Sequence, residues 1–537
     1  MPITRRDFLK TGAAVAATAA APRPLLVYFG RKPEAAPPIE DSRLKDLAAK
    51  ALEAARGAGA GYADVRLTHD WSTGGFGVAA AESLAVGVRA LVNGYWGFAS
   101  GPVWSSDEMA RLGREAVHQA RTNSLGNSRV VELAPAPAVK DGHWVMPVKI
   151  DPFEISPSEI QDFLLSLKIY TERFPGTSVQ VLEAHFVKQE EALASTEGTY
   201  CTQRVYGSSG DFWFNLFKGD KGLGRALDGL TPTGLGFELF RDAPLREAIR
   251  RLIAEMEEDL TLPEKPVEVG RYDAVFNARC TAGLLAATLG PATELDRALG
   301  YEANAGGSSY ITAPFDMLGS YRTGASSLTV TANRSEPGGC ATVQWDDDGV
   351  VPDEFTLVQD GVLVDFQTTR ESAGWLKGHY AAHGRPFRSH GCAAAASAIN
   401  APLQRTPNLV MAPGSEAAGF DDLVAGLTAG IAVKDMLVDV DFQHLSGAGR
   451  LYYEGARMGS TYEVKRGKRV ARIVGAGILF RAPELWKSLL KVGGPASAQR
   501  HGFLDTKGEP AQNGCHSVTA PPAVFKQVTL IDPLRRA

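Results

Sequence analysis

Two dipeptides constrain the fold of this chain more than any other feature of its sequence. Asn93-Gly94 separates the strand-like runs LAVGVRALV and YWGFAS, and Asp360-Gly361 interrupts EFTLVQDGVLVDFQTT. Asn-Gly and Asp-Gly favour the left-handed backbone of two-residue turns, which join neighbouring antiparallel strands. We therefore expect antiparallel sheets in both the first and the last part of the chain.

The first part of the chain has the pattern of an α+β domain. Asp41 begins a helical pattern, and the alternation that starts at Tyr62 predicts a half-buried strand. After the hairpin, the spacing Ser105-x-x-Glu108 is typical of a capping box and predicts a second helix. The order α-β-β-β-α predicts an N-terminal, α/β-sandwich-like domain with an antiparallel sheet over residues 41–133.

The remaining length requires further domains. A chain of 537 residues is too long for one hydrophobic core, so two or three domains are expected. The Pro-rich stretch 134–142 predicts a link to a central α+β unit over residues 143–262. Strand-like runs dominate the C-terminal part and predict a larger, mainly antiparallel β domain over residues 267–537. The predicted fold class is α+β.

The N-terminus carries a targeting pattern. Arg5-Arg6, followed by Phe-Leu-Lys and an Ala-rich run, is typical of a twin-arginine export signal. Residues 1–21 are therefore predicted to be a signal peptide, with its cleavage site left open, and residues 22–40 a linker. No later stretch reaches the roughly 20 apolar residues of a membrane helix, so no other transmembrane segment is expected. The predicted location is periplasmic or otherwise extracytoplasmic.

Charge and cysteine content bear on two questions, namely whether the chain binds nucleic acid and whether it forms disulfides. The net charge is −5 and no basic run follows the N-terminus, so the clustered Lys and Arg of a nucleic-acid-binding surface are absent. The five cysteines are spread widely, form no CxxC pair and are odd in number. Disulfides are compatible with an oxidising compartment, but the sequence does not give a pairing.

Four separated stretches carry a similarity to a known family: GYADVRL (61–67), AVGVRALVNGYWGFAS (85–100), ASTEGTYCTQ (194–203) and VQWDDDGVVPDEFTLVQDGVLVDFQTTRESA (343–373). In this order they resemble the TldD/PmbA family, the so-called modulators of DNA gyrase, which are zinc metallopeptidases or their partners. The resemblance implies an α+β chain that dimerises and a function connected with proteolysis.

In the active type of this family, a helical HExxxH motif and a later cysteine bind zinc. Two imidazoles and a thiolate leave one position open for water, and the glutamate accepts the proton of that water. On this chain the motif falls on LLAATLGP (284–291). The first His position is Ala286, the Glu position is Ala287 and the second His position is Pro291. The chain therefore resembles a member with a degenerate motif, with no catalytic residue and no cofactor expected.

Two residues near the motif do match the family. Glu294 occupies a downstream acidic position and Cys515 the position of the third ligand. Both are candidates for vestigial ligands or cleft residues, because one remaining ligand cannot hold zinc. The alternative for Glu294 is a carboxylate on a helix surface that caps a turn. If the Cys515 thiol is vestigial, its replacement by Ala is expected to leave the fold nearly unchanged.

A metal site could also have been rebuilt elsewhere in the chain. The segment GHYAAHGRPFRSHGC contains a second set of candidate ligands, namely His379, His383, His390 and Cys392. Its glycines and Pro386 predict a loop, so the alternative is a polar loop without metal. In the same segment, Arg385 and Arg388 are candidates for substrate contacts, since guanidinium groups bind a peptide carboxylate in a bidentate manner.

Three functional hypotheses follow. In the first, the chain is an exported, metal-free, non-catalytic subunit that pairs, as a homo- or heterodimer, with an HExxxH-bearing TldD-like chain and acts on peptides or unfolded protein. In the second, it is an active metallopeptidase whose zinc site is relocated or completed across a dimer. In the third, it is a periplasmic peptide-binding protein. The sequence does not identify the substrate or the partner.

Overall fold

The structure is a computed structural model that describes residues 41–75, 79–125, 130–305, 307–439 and 454–533. The predicted signal peptide and linker lie outside the described residues. Within the described ranges, no helix is long and apolar enough to cross a membrane.

The N-terminal elements follow the predicted order α-β-β-β-α. They are α1 (Asp41–Gly57), β1 (Tyr62–Gly74), β2 (Ala79–Val92), β3 (Tyr95–Gly101) and α2 (Ser106–Asn123). Asn93 and Gly94 have φ angles of 52° and 83°, as a two-residue turn between antiparallel strands requires. Ser105 caps α2 by accepting a hydrogen bond from the Glu108 backbone N–H. The hairpin prediction is confirmed. Of the predicted capping box, the Ser105 bond is present, while the Glu108 carboxylate pairs with Arg111.

The central elements extend the same sheet. They are β4 (Gly142–Val145), a 3-10 turn (Pro152–Glu154), α3 (Pro157–Glu172), β5 (Thr177–Ser195), β6 (Tyr200–Lys218), β7 (Lys221–Ala226), α4 (Glu238–Arg241) and α5 (Leu245–Thr261). Strand β5 pairs with β1 from Asp64↔Ser195 to Thr73↔Phe186. The sheet order is β3-β2-β1-β5-β6-β4, with β7 on β6.

One sheet therefore crosses the boundary predicted between residues 133 and 143. Helices α1 and α2 pack over the first half of this sheet and α3 and α5 over the second half, giving two separate hydrophobic cores. The division into an N-terminal and a central domain stays a prediction, and the two units are joined by the β1–β5 ladder.

The C-terminal part contains the remaining strands. They are β8 (Glu264–Pro266), β9 (Gly270–Phe276), β10 (Val330–Asn333), β11 (Phe355–Gln359), β12 (Val362–Leu363), β13 (Ala393–Ala394), β14 (Leu403–Gln404), β15 (Asn408–Met411), β16 (Ala429–Val433), β17 (Met436–Asp439), β18 (Glu454–Met458), β19 (Thr461–Lys465), β20 (Lys468–Val474), β21 (Gly477–Phe480), β22 (Leu489–Val492), β23 (Gln499–Lys507), β24 (Gln512–Ala520) and β25 (Ala523–Ile531).

The helices of this part are short. They are α6 (Ala278–Ala287), α7 (Leu289–Ala292), α8 (Leu295–Ala298), α9 (Pro314–Met317), α10 (Arg370–Trp375), α11 (Lys377–Ala382), α12 (Phe420–Ala425) and α13 (Ala482–Lys487), with 3-10 turns at Ala303–Ala305 and Pro495–Ser497. The strands form a ten-stranded sheet, a six-stranded sheet ordered β12-β11-β10-β15-β24-β23 and the small pair β13-β14.

Helix α6 lies between the two large sheets. It contacts β9 and β17 of the ten-stranded sheet and β23 and β24 of the six-stranded sheet. Residues of both sheets and of α6 form the largest hydrophobic core, which includes Phe276, Leu284 and Val518. The helix that carries the family's motif positions is thus fixed on two sides.

Helix α6 ends at Ala287, and a second short helix, α7, follows Thr288. Pro291 gives the physical reason. A proline has no N–H for the carbonyl four residues earlier, here that of Ala287, and its ring collides with that carbonyl. The Thr288 side chain closes the end by donating to the Leu284 carbonyl and accepting from the Trp486 indole N–H at 2.9 Å.

Buried ion pairs connect the first sheet to the C-terminal part. Arg66 pairs with Asp347, and Arg89 pairs with both Asp64 and Asp348 at 2.7 Å. Asp347 and Asp348 of the acidic run 346–348 therefore serve as acceptors for arginines on β1 and β2. These pairs hold the turn at residues 347–349 against the sheet.

Candidate functional site

The motif positions offer no metal ligand. Ala286 is buried in the hydrophobic core between the sheets, while Ala287 and Pro291 are half-buried at the break between α6 and α7. Methyl groups and a pyrrolidine ring carry no lone pair for a metal ion. The chemistry of this donor set does not fit zinc.

Cys515 is bonded to Cys340. The Cα atoms are 5.8 Å apart, and the disulfide closes a separation of 175 residues between β24 and the segment that precedes the acidic run. A disulfide sulfur is not a thiolate. Cys515, at the predicted position of the third ligand, is therefore not available to bind a metal ion. The expectation that Cys515→Ala leaves the fold nearly unchanged is revised, because the cysteine forms a covalent cross-link.

Glu294 is buried rather than exposed. Only 1% of its surface is accessible, and as the residue before α8 it makes no side-chain cap. The alternative of a surface carboxylate that caps a turn is therefore wrong. Its Oε2 accepts from Lys507 Nζ at 2.8 Å and from Arg297 Nε at 3.0 Å, and its Oε1 accepts from Thr406 Oγ1 at 2.8 Å.

Lys507 is the centre of this ion cluster. Its side chain, at 0% exposure, donates to Glu294, to Asp296 at 2.7 Å and to the Gln404 carbonyl at 2.8 Å. The three donations satisfy all three N–H groups of an ammonium. Two carboxylates and two basic groups, the latter Lys507 and Arg297, thus neutralise one another beside the degenerate motif.

The charges of the cluster shift its titration. Burial disfavours the ionised form of Glu294, but the Lys507 ammonium and the Arg297 guanidinium outweigh it and lower the pKa of Glu294 to about 2. Burial likewise acts against the charged form of Lys507, and the two carboxylates overcome it and raise the pKa of the ammonium. Burial acts the other way on Asp296 and raises its pKa. Glu294 and Lys507 are therefore charged at neutral pH and compensate each other.

The second set of candidate ligands is spread over different environments. His379 and His383 stack at 4.1 Å between ring centroids, on or just after α11. The loop prediction is wrong for residues 377–382. Gly384, with φ of 62°, lies just after the helix, where a left-handed glycine commonly ends one.

His390 is bound through both ring nitrogens. Its Nδ1 lies 2.9 Å from Asp353 and its Nε2 3.2 Å from Asp365, and the ring stacks on Phe355 at 3.8 Å. Cys392 is a free, buried cysteine, and burial raises the pKa of its thiol. Among the described residues, the set does not occur as a cluster of ligand atoms that could share one ion.

The two candidate substrate-binding arginines already have internal partners. Arg385 pairs with buried Asp365 and donates to the Val364 carbonyl at 3.1 Å. Arg388 is 3.4 Å from Asp353 and its side chain is partly exposed. Arg388 is thus the more accessible of the two, and their substrate role stays a prediction.

Two buried histidines lie on neighbouring strands, His501 on β23 and His516 on β24, and His501 was not singled out from the sequence. Within the described part of the chain, neither ring nitrogen of either histidine has a hydrogen-bond partner. Burial lowers the pKa of His501 to about 4 and also lowers the pKa of His516. The alternation of β23, which places His501, Phe503 and Asp505 on one face, is the signal that could have identified His501.

The comparisons with known proteins agree with this fold. The family model for the PmbA/TldA metallopeptidase C-terminal domain matches residues 269–531, and the model for PmbA/TldA metallopeptidase domain 1 matches residues 77–120. A twin-arginine translocation signal model matches residues 2–22. Metalloprotease MJ0996 of Methanocaldococcus jannaschii is 23% identical over 356 residues, which are 65% of this chain and 71% of that protein.

Solved structures share the architecture. TldE from Thermococcus kodakarensis aligns with a TM-score of 0.64 at 12% identity, covering 91% of this chain and 99% of its own. A putative modulator of DNA gyrase from Thermotoga maritima aligns with a TM-score of 0.66 at 14% identity, covering 91% and 100%. Another, from Bacteroides thetaiotaomicron, gives a TM-score of 0.61 at 14% identity, covering 92% and 100%.

The matched domains and the shared α+β fold define a metallopeptidase-like protein that carries a twin-arginine signal. The chain belongs to the PmbA/TldD family. The family is a metallopeptidase family, which makes zinc plausible, but the predicted motif positions Ala286, Ala287 and Pro291 carry no group that could bind it.

Replacing Lys507 is expected to destabilise the C-terminal part strongly. Lys507→Met leaves Glu294 and Asp296 buried without their cation, which costs about 3–5 kcal/mol of the free energy of unfolding. Urea unfolding followed by circular dichroism measures the loss. Lys465→Met is the matched control, since the Lys465 side chain is 62% exposed and paired at the surface. Equal effects of the two variants would contradict the role of the cluster.

The disulfide is expected to stabilise the folded chain. The double variant Cys340→Ala/Cys515→Ala should lose about 2–5 kcal/mol, because the unfolded state regains the freedom of a long loop. Chemical unfolding with and without reductant measures this. Reductant should destabilise the unaltered chain and leave the double variant unaffected. A response to reductant that persists in the double variant would assign the effect to another cause.

His501 is expected to make stability sensitive to acid. Because its pKa is about 4 when folded and about 6.5 when unfolded, protonation favours the unfolded chain as pH falls through this window. The contribution lost between about pH 7 and 5 is about 2 kcal/mol. His501→Leu should flatten the pH profile of urea unfolding, and exposed His118→Leu should not. An unchanged profile for His501→Leu would show that this histidine does not titrate as described.

Proposed function

We propose that the chain is the non-catalytic subunit of an exported peptidase complex, in which a TldD-like partner carries the complete HExxxH motif. The observation that carries this proposal is the chemistry of the motif positions. Ala286, Ala287 and Pro291 provide no donor, and Cys515 is held in a disulfide. These residues can neither bind a metal ion nor act as the base that activates water.

The ion cluster supports a retained structural role for this region. In place of a metal that would link the motif helix to a later strand, Lys507 on β23 binds Glu294 and Asp296 around the start of α8. In this proposal, the ion pairs of Lys507 stabilise the fold of this region without a zinc ion. A chain that keeps the family architecture in this way can still form the family's dimer and shape its peptide-binding surface.

The proposed partner and substrates follow from the family. TldE from Thermococcus kodakarensis has the same fold, and the curated relative is a metalloprotease. We assign to this chain the place of the subunit that lacks the peptidase zinc, in a heterodimer that acts on peptides or unfolded protein. The twin-arginine signal supports assembly and action outside the cytoplasm, where gyrase and its DNA are not encountered.

Co-expression with an HExxxH-bearing family member tests the proposal. The chain purified alone is expected to show no cleavage of casein or of short peptides. The two chains are expected to co-purify and to cleave, and replacement of the motif glutamate by Gln in the partner should abolish cleavage. The partner purified alone is the control that measures what this chain adds.

The double variant Cys340→Ala/Cys515→Ala provides a second control. Assayed where it remains folded, it should leave the cleavage rate of the complex unchanged, since Cys515 is not a ligand. Chelator-sensitive cleavage by the isolated chain would contradict the proposal and would favour an active enzyme with a relocated metal site.

A further inference from the structure

Three side chains converge on one face of the β5–β6 hairpin, far along the chain from the motif helix. Glu183 on β5 lies directly opposite Asp211 on β6 in the antiparallel register. His185 is two residues after Glu183 on the same strand and therefore projects from the same face. Gly74 on β1 makes room for the ring, since an added Cβ there would lie 2.9 Å from His185 Nδ1.

The distances suit a shared ion better than direct bonding. His185 Nε2 lies 3.3 Å from Glu183 Oε2 and 3.7 Å from Asp211 Oδ2, and the second distance is beyond hydrogen-bonding range. All three ligand atoms lie within 4.8 Å of one another. Two donors that each bind an ion at about 2.0–2.2 Å, with about 90–110° between the bonds, are separated by about 2.8–3.6 Å. The 3.3 Å distance falls within this range, and the 3.7 Å distance is slightly longer.

The charges also call for a cation. Two carboxylates directly opposite each other on neighbouring strands repel. Positive charge placed between them relieves this repulsion. A divalent ion between a neutral imidazole and two carboxylates supplies the same compensation and satisfies all three donors.

We propose that Glu183, His185 and Asp211 form a surface binding site for a divalent transition-metal ion, with zinc as the ion that one imidazole and two carboxylates suit. The side chains are 44%, 39% and 72% exposed, so an ion can enter and keep water in its remaining positions. The site belongs to the first sheet and is separate from the family's peptidase centre. Zinc bound here without peptide cleavage is compatible with a non-catalytic subunit.

Calorimetric titration of the purified full chain with zinc, after treatment with chelator, tests the site. We expect one equivalent of zinc to bind and His185→Ala to remove it. Asp211→Asn and Glu183→Gln should each weaken binding by about tenfold or more, because each removes a charged ligand. Cobalt provides an independent readout, since its visible absorption band should appear in the unaltered chain and be absent in His185→Ala.

His143→Ala is the matched control, because His143 is an exposed histidine on β4 of the same sheet. It should bind zinc like the unaltered chain, and circular dichroism should show that all variants are folded. Absence of zinc binding by the unaltered chain would overturn the proposal. So would zinc binding that His185→Ala leaves unchanged, since the ion would then be held elsewhere.

Discussion

The buried ammonium of Lys507 is the interaction on which the motif region depends. It joins β23 to the start of α8 through Glu294 and Asp296, and its side chain is fully buried. A buried ion pair contributes little net stability compared with apolar packing, but removing one member is costly. The region is therefore specified by complementary buried charges, and we expect the loss of any one of them to be costly.

The local parts of the fold could be predicted from the sequence, because turns and caps are decided by neighbouring residues. The Asn93-Gly94 and Asp360-Gly361 hairpins and the Ser105 cap are examples. The long-range pairings could not be predicted. The β1–β5 ladder joins strands that are more than 100 residues apart, and nothing in either strand alone encodes its partner. The sequence therefore showed no sign that one sheet is continuous across the predicted boundary, and the division into two domains stays a prediction.

Some features of the candidate site could likewise be predicted from the sequence, and others could not. The absence of donors at Ala286, Ala287 and Pro291 could be read residue by residue once the resemblance was recognised. The environment of Glu294 could not, since its cation is contributed from a strand more than 200 residues later. The loop predicted at 377–382 failed because Gly384 and Pro386 mark the end of a short helix rather than the absence of one.

The cross-link between Cys340 and Cys515 has a consequence for biogenesis. A chain that carries a twin-arginine signal is made in a reducing compartment, and that pathway carries folded proteins. Both thiols must then be brought together by packing alone, before any oxidant is met. The disulfide would then form after the tertiary structure is complete. It would stabilise the folded chain without directing its folding.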